Sequence, residues 1–262
     1  MLRFTSLGSG SSGNATLVES QPDDGARATR VLVDCGLAPR QLAKRLATRA
    51  LRLSDIDAVF VTHEHNDHFG GVLALQRRYG IPVWASAGTW ARATARLDAA
   101  PACHQARDGV SISVGSITLR PFAVPHDAAE PLQLICSAGR HAIGILTDIG
   151  EPTEAVARAL HGCDALLLET NHDPALLAAG NYPTWLKRRI GGDLGHLANG
   201  QAAALLDACR HDGLRHVVAA HLSRQNNRPE LALAALRRVV SGSTTQLAVA
   251  DAVDGCEWIE IH

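Results

Sequence analysis

Five side chains able to bind a metal ion fall within six positions of the stretch "VTHEHNDHFGG": His63, Glu64, His65, Asp67 and His68. The spacing stops one residue short of a helical HExxH zinc site, which would need histidine where Asp67 stands. Such a site also needs two histidines four apart on one helix face. Here the preceding "AVFVT" is β-branched and aromatic, and paired glycines follow the cluster. The ligands are therefore expected on a strand-to-helix turn. From an extended segment His63 and His65 can converge on one ion, while Asp67 and His68 begin the next helix and point towards a second. Two adjacent metal ions are the expectation, with Glu64 left as a bystander.

The same residue types recur at the ends of apolar runs. "VLV" ends in Asp34, "VFVT" in His63, "FAVP" in His126, "IGILT" in Asp148, "ALLL" in Glu169 and "VVAA" in His221. Any one of these could be a polar strand end opening a loop. Together they point to one site, because buried strands that share an edge collect ligands there.

The elements that must position these residues follow from periodicity. Strand-like runs "RFTSL", "ATLVES" and "RVLVDCG" open the chain, and a helix is expected from Pro39 to about Arg49, with proline in its first turn. "DAVFV" precedes the cluster, and a helix near Val72–Tyr79 should close at Gly80. The middle is strand-rich ("VSISVGSITLRPFAV", "LQLICS", "AIGILT"). The last part alternates helices ("EPTEAVARALH", "NGQAAALLDACRH", "RPELALAALRRVV") with apolar runs ("ALLLE", "HVVAA", "QLAVA"). This order predicts an α/β chain: one domain over residues 1–262, with mixed sheets covered by helices.

Composition narrows the classes. The 262 residues are 46% hydrophobic, enough for one large core, and the formal net charge of -1 gives no global basic field to gather nucleic acid. A local basic rim around a metal centre could still suffice. No run approaches 18 apolar residues, so no membrane span is expected. "MLRFTSLGSGSSGN" lacks an apolar signal core and reads as mature protein. The six scattered cysteines form no CxxC pair and read as ordinary thiols of a cytoplasmic protein. "ESQPDDGARATR" reads as a loop between strands.

"THEHNDHFGG" resembles the HxHxDH signature of the metallo-β-lactamase superfamily. Seven further segments, "SLGSGSSGN", "LVDCGL", "PHDAAEP", "TDIG", "ETNHD", "YPTWLKRRIGGDLGHLAN" and "HLSRQNN", resemble its YycJ/WalJ group. The resemblance implies a four-layer αββα sandwich with a two-metal centre in the cleft between the sheets. It implies that His63, His65 and His126 hold one ion, that Asp67, His68 and His221 hold the other, and that Asp148 bridges them. Asp34 matches the aspartate that steadies the histidine loop. Glu169 and His196 resemble the glutamate–histidine pair of ribonuclease Z that protonates the leaving oxygen.

Histidine nitrogens with carboxylate oxygens, and no cysteine at a ligand position, suit Zn²⁺ or Mn²⁺. Two such ions can share a hydroxide whose pKa falls from about 15.7 to roughly 7. Asp67 could orient that hydroxide for attack on phosphorus, with His196 as general acid. Around the site, "GSGSSGN" with Ser11, Ser12 and Asn14 is either a tight hairpin turn or a loop whose backbone approaches a phosphate. The YycJ/WalJ resemblance favours the latter. "WLKRRI" brings Lys187, Arg188 and Arg189 near His196 and is a candidate grip on a polyanionic backbone. Arg224, Asn226 and Asn227 follow His221 and could contact phosphate or sugar. His172 has no role that follows from spacing.

Fold alone does not select a substrate. "VPHDAAEP" is not the third-ligand segment of glyoxalase-type thioesterases, and the first cluster lacks the form seen in flavodi-iron reductases. The stretch from Asp148 to His221 is too short for a β-CASP insertion. Phosphodiester hydrolysis remains, and the resemblance implies a 5′-to-3′ exonuclease acting on DNA rather than RNA. A phosphodiesterase for small or cyclic nucleotides is the competing reading. A thioester or lactone hydrolase and a non-catalytic metal-binding protein stand behind it.

Overall fold

The apolar runs are buried on both faces, and alternate residues of one strand enter different cores. In a computed structural model of the protein, which describes residues 1–22 and 25–262, this alternation resolves into two sheets. Strands β1 (Leu2–Gly8), β2 (Ala15–Ser20), β3 (Thr29–Val33), β4 (Ala58–Phe60), β5 (Val83–Ala85) and β6 (His104–Gln105) build the first. Strands β7 (Ile112–Val114), β8 (Ile117–Ala123), β9 (Leu132–Ala138), β10 (His141–Leu146), β11 (Ala165–Glu169), β12 (His216–Ala220) and β13 (Gln246–Val249) build the second. The last strand, β14 (Ile259–Ile261), returns to the edge of the first sheet beside β1. The orders are β14-β1-β2-β3-β4-β5-β6 and β13-β12-β11-β10-β9-β8-β7.

Between the sheets lie Phe4, Val31, Val33 and Phe60 from one side and Leu134, Ile145, Leu167 and Val218 from the other. The intervening residues face outward. Leu32 of β3 packs with Leu42 and Leu46 of α1 (Pro39–Ala47) and Leu75 of α3 (Val72–Tyr79). Leu166 and Leu168 of β11 pack with Leu160 of α5 (Glu154–Leu160), Leu205 of α8 (Asn199–Cys209) and Leu236 of α9 (Pro229–Val239). The result is the αββα sandwich expected above. Helices α2 (Asn66–Phe69), α4 (Ala87–Thr94), α6 (Pro174–Ala179) and α7 (Thr184–Ile190) complete the connections between strands.

The expected helix ends hold closely: α3 spans the anticipated residues and closes on Gly80 with φ 66°. The expected "ESQPDDGARATR" loop is shorter than drawn. Glu19 and Ser20 belong to β2 and Thr29 and Arg30 to β3, while Asp23 and Asp24 lie outside the described residues. Glu19 is buried within the sheet because Arg3 and Arg30 each pair with its carboxylate at 2.5 Å. All six cysteines are unpaired thiols, four of them buried. Among the described residues no helix is long and apolar enough to cross a membrane.

Strand direction decides where the polar ends go. β3 and β4 run parallel, as do β10, β11 and β12, while β8 and β10 both run antiparallel to β9. The C-terminal ends of β8, β10, β11 and β12 therefore share one edge of the second sheet. Gly36 locks the corresponding edge of the first: a Cβ there would meet the Asp67 carbonyl oxygen at 1.8 Å. Gly36→Ala should push the α2 turn away and lower stability by about 1–3 kcal/mol or more. Denaturant unfolding that gave a loss below about 0.5 kcal/mol would show that the close approach is not required.

Candidate metal centre

Three of the four described non-glycine residues with positive φ lie at these strand ends: Asp34 (62°), Asp148 (54°) and His221 (55°). Aspartate and histidine tolerate the left-handed region better than most residues, but the conformation still costs about 1–3 kcal/mol each. It turns the chain sharply at the end of β3, β10 and β12, bringing Asp148 and His221 to the cleft and Asp34 against Thr62 and His68 behind it.

The hydrogen bonds fix which nitrogen each imidazole presents. Asp34 accepts from the Thr62 amide at 2.8 Å and from the Thr62 hydroxyl at 2.9 Å, and its Oδ2 accepts from His68 Nδ1 at 2.7 Å. Thr62 Oγ1 in turn lies 3.0 Å from His63 Nδ1. His126 Nδ1 donates to the Gly195 carbonyl at 3.0 Å, and His221 Nδ1 faces Glu169 Oε1 at 3.1 Å. With Nδ1 engaged as donor, His63, His68, His126 and His221 all turn Nε2 to the cleft. His65 presents Nδ1 instead, 3.1 Å from His63 Nε2 and 3.3 Å from His126 Nε2.

Separations of 3.1 and 3.3 Å suit nitrogens sharing a small cation, whose tetrahedral edges are about 3.3 Å. Two further observations agree. His221 Nε2 is buried without a hydrogen-bond partner, and Asp148 Oδ2 has none either although His68 Nε2 lies 2.6 Å away, out of hydrogen-bonding line. The ligand-type atoms fall into overlapping groups: His63, His65 and His126; His63, His68 and Asp148; Asp67, His68 and His221. The fourth group is Asp148, Glu169, His196 and His221, so Asp148 belongs to two groups. These residues fit divalent cations.

The charges are mutually supporting. Burial disfavours ionisation of Asp67, but His221 and His68 hold its carboxyl down at about 2. Burial likewise opposes charge on Asp148, yet His221 and His68 keep it well below the usual range. His68 is pushed up to about 10, because Asp148 and Asp34 outweigh its complete burial. His63 moves the other way, well below the usual histidine value, through burial and the neighbouring His68. Glu169, fully buried at the end of β11, is held at about 2 by His196 and His221 against its burial. Its Oε2 accepts the Ile149 and Leu197 amides at 2.9 and 3.2 Å, and its Oε1 meets His196 Nδ1 at 2.8 Å. His196 Nδ1 also lies 3.0 Å from Asp148 Oδ1, so Nε2 is the nitrogen this ring has to offer. Glu169 and Asp148 together raise His196 to about 9 despite burial.

A cavity of about 410 Å³ opens over this cluster, with Asp67, Asp148, His196 and His221 in its floor. One wall is Tyr182, Leu186 and Ile190, and Arg189 joins it with Nε 2.6 Å from Asp127 Oδ2. Of the residues proposed to meet substrate, Ser11 lines this cavity, while Ser12 is exposed outside it. Asn14 is buried behind the cavity: its Oδ1 accepts the Gly10 amide at 2.7 Å, and its Nδ2 lies 2.9 Å from His68 Nε2. Asn226 and Asn227 are likewise internal braces. Asn226 bonds Ser223 at 3.2 Å, and Asn227 Nδ2 donates to the Thr170 and Asn171 carbonyls at 2.8 and 3.0 Å. Lys187 Nζ donates to the Ala178 carbonyl at 2.5 Å, and Arg188 and Arg224 are exposed outside the cavity. Helical phase explains this, since Leu186, Arg189 and Ile190 share a face of α7 and Lys187 and Arg188 do not. Asn171 and Ser223 also line the cavity, with no sequence signal beyond adjacency to Glu169 and His221. His172 is buried, with Nδ1 unpartnered, and pairs in a bridge with Ala198. Glu64 accepts the Ala129 amide at 2.9 Å, consistent with a supporting position.

Asp34 touches no cavity yet orients His68, and losing such a partner costs about 10–100-fold in metal affinity. Asp34→Asn should therefore weaken binding of Zn²⁺ or Mn²⁺ by that factor in competition with a chromogenic chelator. Unchanged affinity would show that the His68 ring is held by packing alone.

Comparison with known proteins places this geometry in a family. Residues 29–222 match the β-lactamase superfamily domain. The chain is 33% identical over 241 residues to exodeoxyribonuclease YycJ of Bacillus anthracis, covering 91% of this chain and 89% of that protein. It is 33% identical over 235 residues to exodeoxyribonuclease WalJ of Streptococcus pneumoniae, covering 88% and 85%. Among solved structures, the metallo-β-lactamase fold protein YhfI from Bacillus subtilis superposes with a TM-score of 0.72 at 15% identity, over 96% of this chain and 97% of that one.

Proposed function

The chain belongs to the β-lactamase superfamily and is a YycJ/WalJ-like metal-dependent phosphodiester hydrolase, and from that premise we propose that it is an exonuclease removing nucleotides from the 5′ end of DNA. Divalent ions, two in this reading and zinc or manganese by ligand type, supply when bound an activated water near neutral pH and positive charge for the phosphoryl oxygens. His63, His65 and His126 would hold one, Asp67, His68 and His221 the other, with Asp148 between.

The chain's own residues do the remaining work. Asp67, at the junction of cavity and cluster, is placed to accept a hydrogen bond from the attacking water and so fix its direction. His196 is the proton source: Glu169 and Asp148 hold Nδ1, and its ring stands in the cavity wall. The anchored His196–Glu169 pair beside the ligand cluster is the observation that carries this reading. An acid in this position serves a leaving alkoxide, which the thiolate of thioester hydrolysis does not require. The apolar wall of Tyr182, Leu186 and Ile190 suits a base or sugar, and Arg189 suits a phosphate. The small cavity and near-neutral charge also suit a small or cyclic nucleotide, which is the competing substrate.

One assay separates the readings. Metal-loaded protein should release 5′ nucleotides from 5′-labelled duplex DNA. His196→Ala should lose about 10²–10⁴-fold in turnover there, but far less on a p-nitrophenyl diester whose leaving group needs no proton. Activity confined to a cyclic nucleotide would overturn the exonuclease assignment, and equal losses on both diesters would overturn the acid role of His196.

A further inference from the structure

A second cavity, of about 660 Å³, lies on the other side of the ligand turn. It shares His65, Asn66 and Asp127 with the first, so the two form one trough across the cluster. Their outer walls differ. His196 and the apolar α7 face line only the first, whereas Arg92 and Arg96 line only the second. These arginines are four apart at the end of α4, exposed, and neither forms an ion pair among the described residues. The carboxylates nearby are engaged: Asp127 with Arg189 at 2.6 Å, and Glu64 through one oxygen with the Ala129 amide at 2.9 Å.

The arginines are held at a fixed place relative to the cluster. Trp90 of α4 packs edge-on against Phe69, next to His68, with ring centroids 5.8 Å apart. At the other end of α4, Ser86 Oγ donates to the Glu130 carbonyl at 2.7 Å and the Gly88 amide donates to the Glu130 carboxylate at 2.6 Å. α4 is thus fastened both to the α2 turn and to the loop that carries His126.

Accepting the nuclease reading, on which this rests, we propose that the second cavity is a subsite for the retained strand, with Arg92 and Arg96 on successive phosphates. The direction follows from the chemistry. Attack of water on phosphorus forms one P–O bond while the P–O3′ bond breaks; O3′ takes its proton from His196, and the water's proton passes to solvent. The departing O3′ and its nucleotide therefore lie on the His196 side, in the first cavity. The phosphate stays with the rest of the strand, and the second cavity, with Arg92 and Arg96 in its wall, lies on the opposite side of the cluster to receive it. A partly apolar chamber of about 410 Å³ for one nucleotide and a second cavity with two unpaired arginines for the polymer make an end-specific cutter.

The test is binding of a single-stranded phosphorothioate 12-mer, resistant to hydrolysis, to metal-loaded protein by fluorescence anisotropy, beside turnover of an ordinary oligonucleotide and of a p-nitrophenyl diester. Arg92→Ala/Arg96→Ala should weaken 12-mer binding by about tenfold or more. It should also flatten the slope of log K against log salt by about 1.4, two phosphates at roughly 0.7 each. Its loss on the oligonucleotide should exceed its loss on the small diester by about tenfold. Arg237→Ala/Arg238→Ala, which removes the same charge from the far end of α9, should bind the 12-mer as the unmodified protein does. Equal binding by the Arg92/Arg96 variant, an equal loss in the α9 variant, or no binding by the unmodified protein would overturn the subsite. Arm-dependent binding with hydrolysis of the small diester alone would instead overturn the nuclease reading, and with it the retained strand, while showing that Arg92 and Arg96 bind a polyanion.

Discussion

The structure turns on the buried carboxylate of Asp148. It stands at the end of β10 in the second sheet, 2% exposed, with one oxygen 2.6 Å from His68 of the first sheet. Its other oxygen is 3.0 Å from both His196, in the α7–α8 connection, and His221, at the end of β12 in its own sheet. A charge buried so deeply is tolerated only when surrounded by opposite charge or oriented donors, and removing one partner strands it. The polar ends of the two sheets are therefore bound to meet here, and the sandwich closes around that meeting. Strained backbone at Asp34, Asp148 and His221 is the visible cost of bringing so many polar groups to one place.

A metal centre built this way resolves a tension in the composition. The formal net charge is -1, yet the proposed substrate is a polyanion. Ions held among histidines and carboxylates are the largest local charges and change the sign of the field where phosphate must bind, so no basic surface is needed there. What the protein itself must add is selective: a proton donor on one side of the trough, and a few guanidinium groups away from the cluster. Arg189 is restrained by Asp127 at 2.6 Å, which positions it and dilutes its charge, whereas Arg92 and Arg96 keep theirs.

The sequence was informative where position follows from local pattern. Strand ends carrying Asp34, His63, His126, Asp148, Glu169 and His221 could be read because buried strands are contiguous apolar runs and a polar residue must end each one. Parallel pairing then brings those ends together, and pairing is what no local pattern states. Side-chain direction in loops was not legible. Asn14, Asn226 and Asn227 have the residue type of a phosphate contact, but their amides are consumed by carbonyls and neighbours that the fold brings from distant segments. Lys187, Arg188 and Arg189 could not be told apart because a charge run has no phase until its helix is placed against something; Tyr182, Leu186 and Ile190 set that phase. Glu169 was read as a partner of His196 alone, and the fold shows it shared with His221, whose approach from β12 depends on sheet order.

The account's central claim is that two ions, not one, are held on either side of Asp148, one by His63, His65 and His126 and the other by Asp67, His68 and His221. Metal content per chain after chelation and reloading, read by elemental mass spectrometry, addresses it without reference to any substrate. Two zinc or manganese ions per unmodified chain, falling to one in Asp67→Ala, is the predicted result. One ion or none in the unmodified chain would contradict the account.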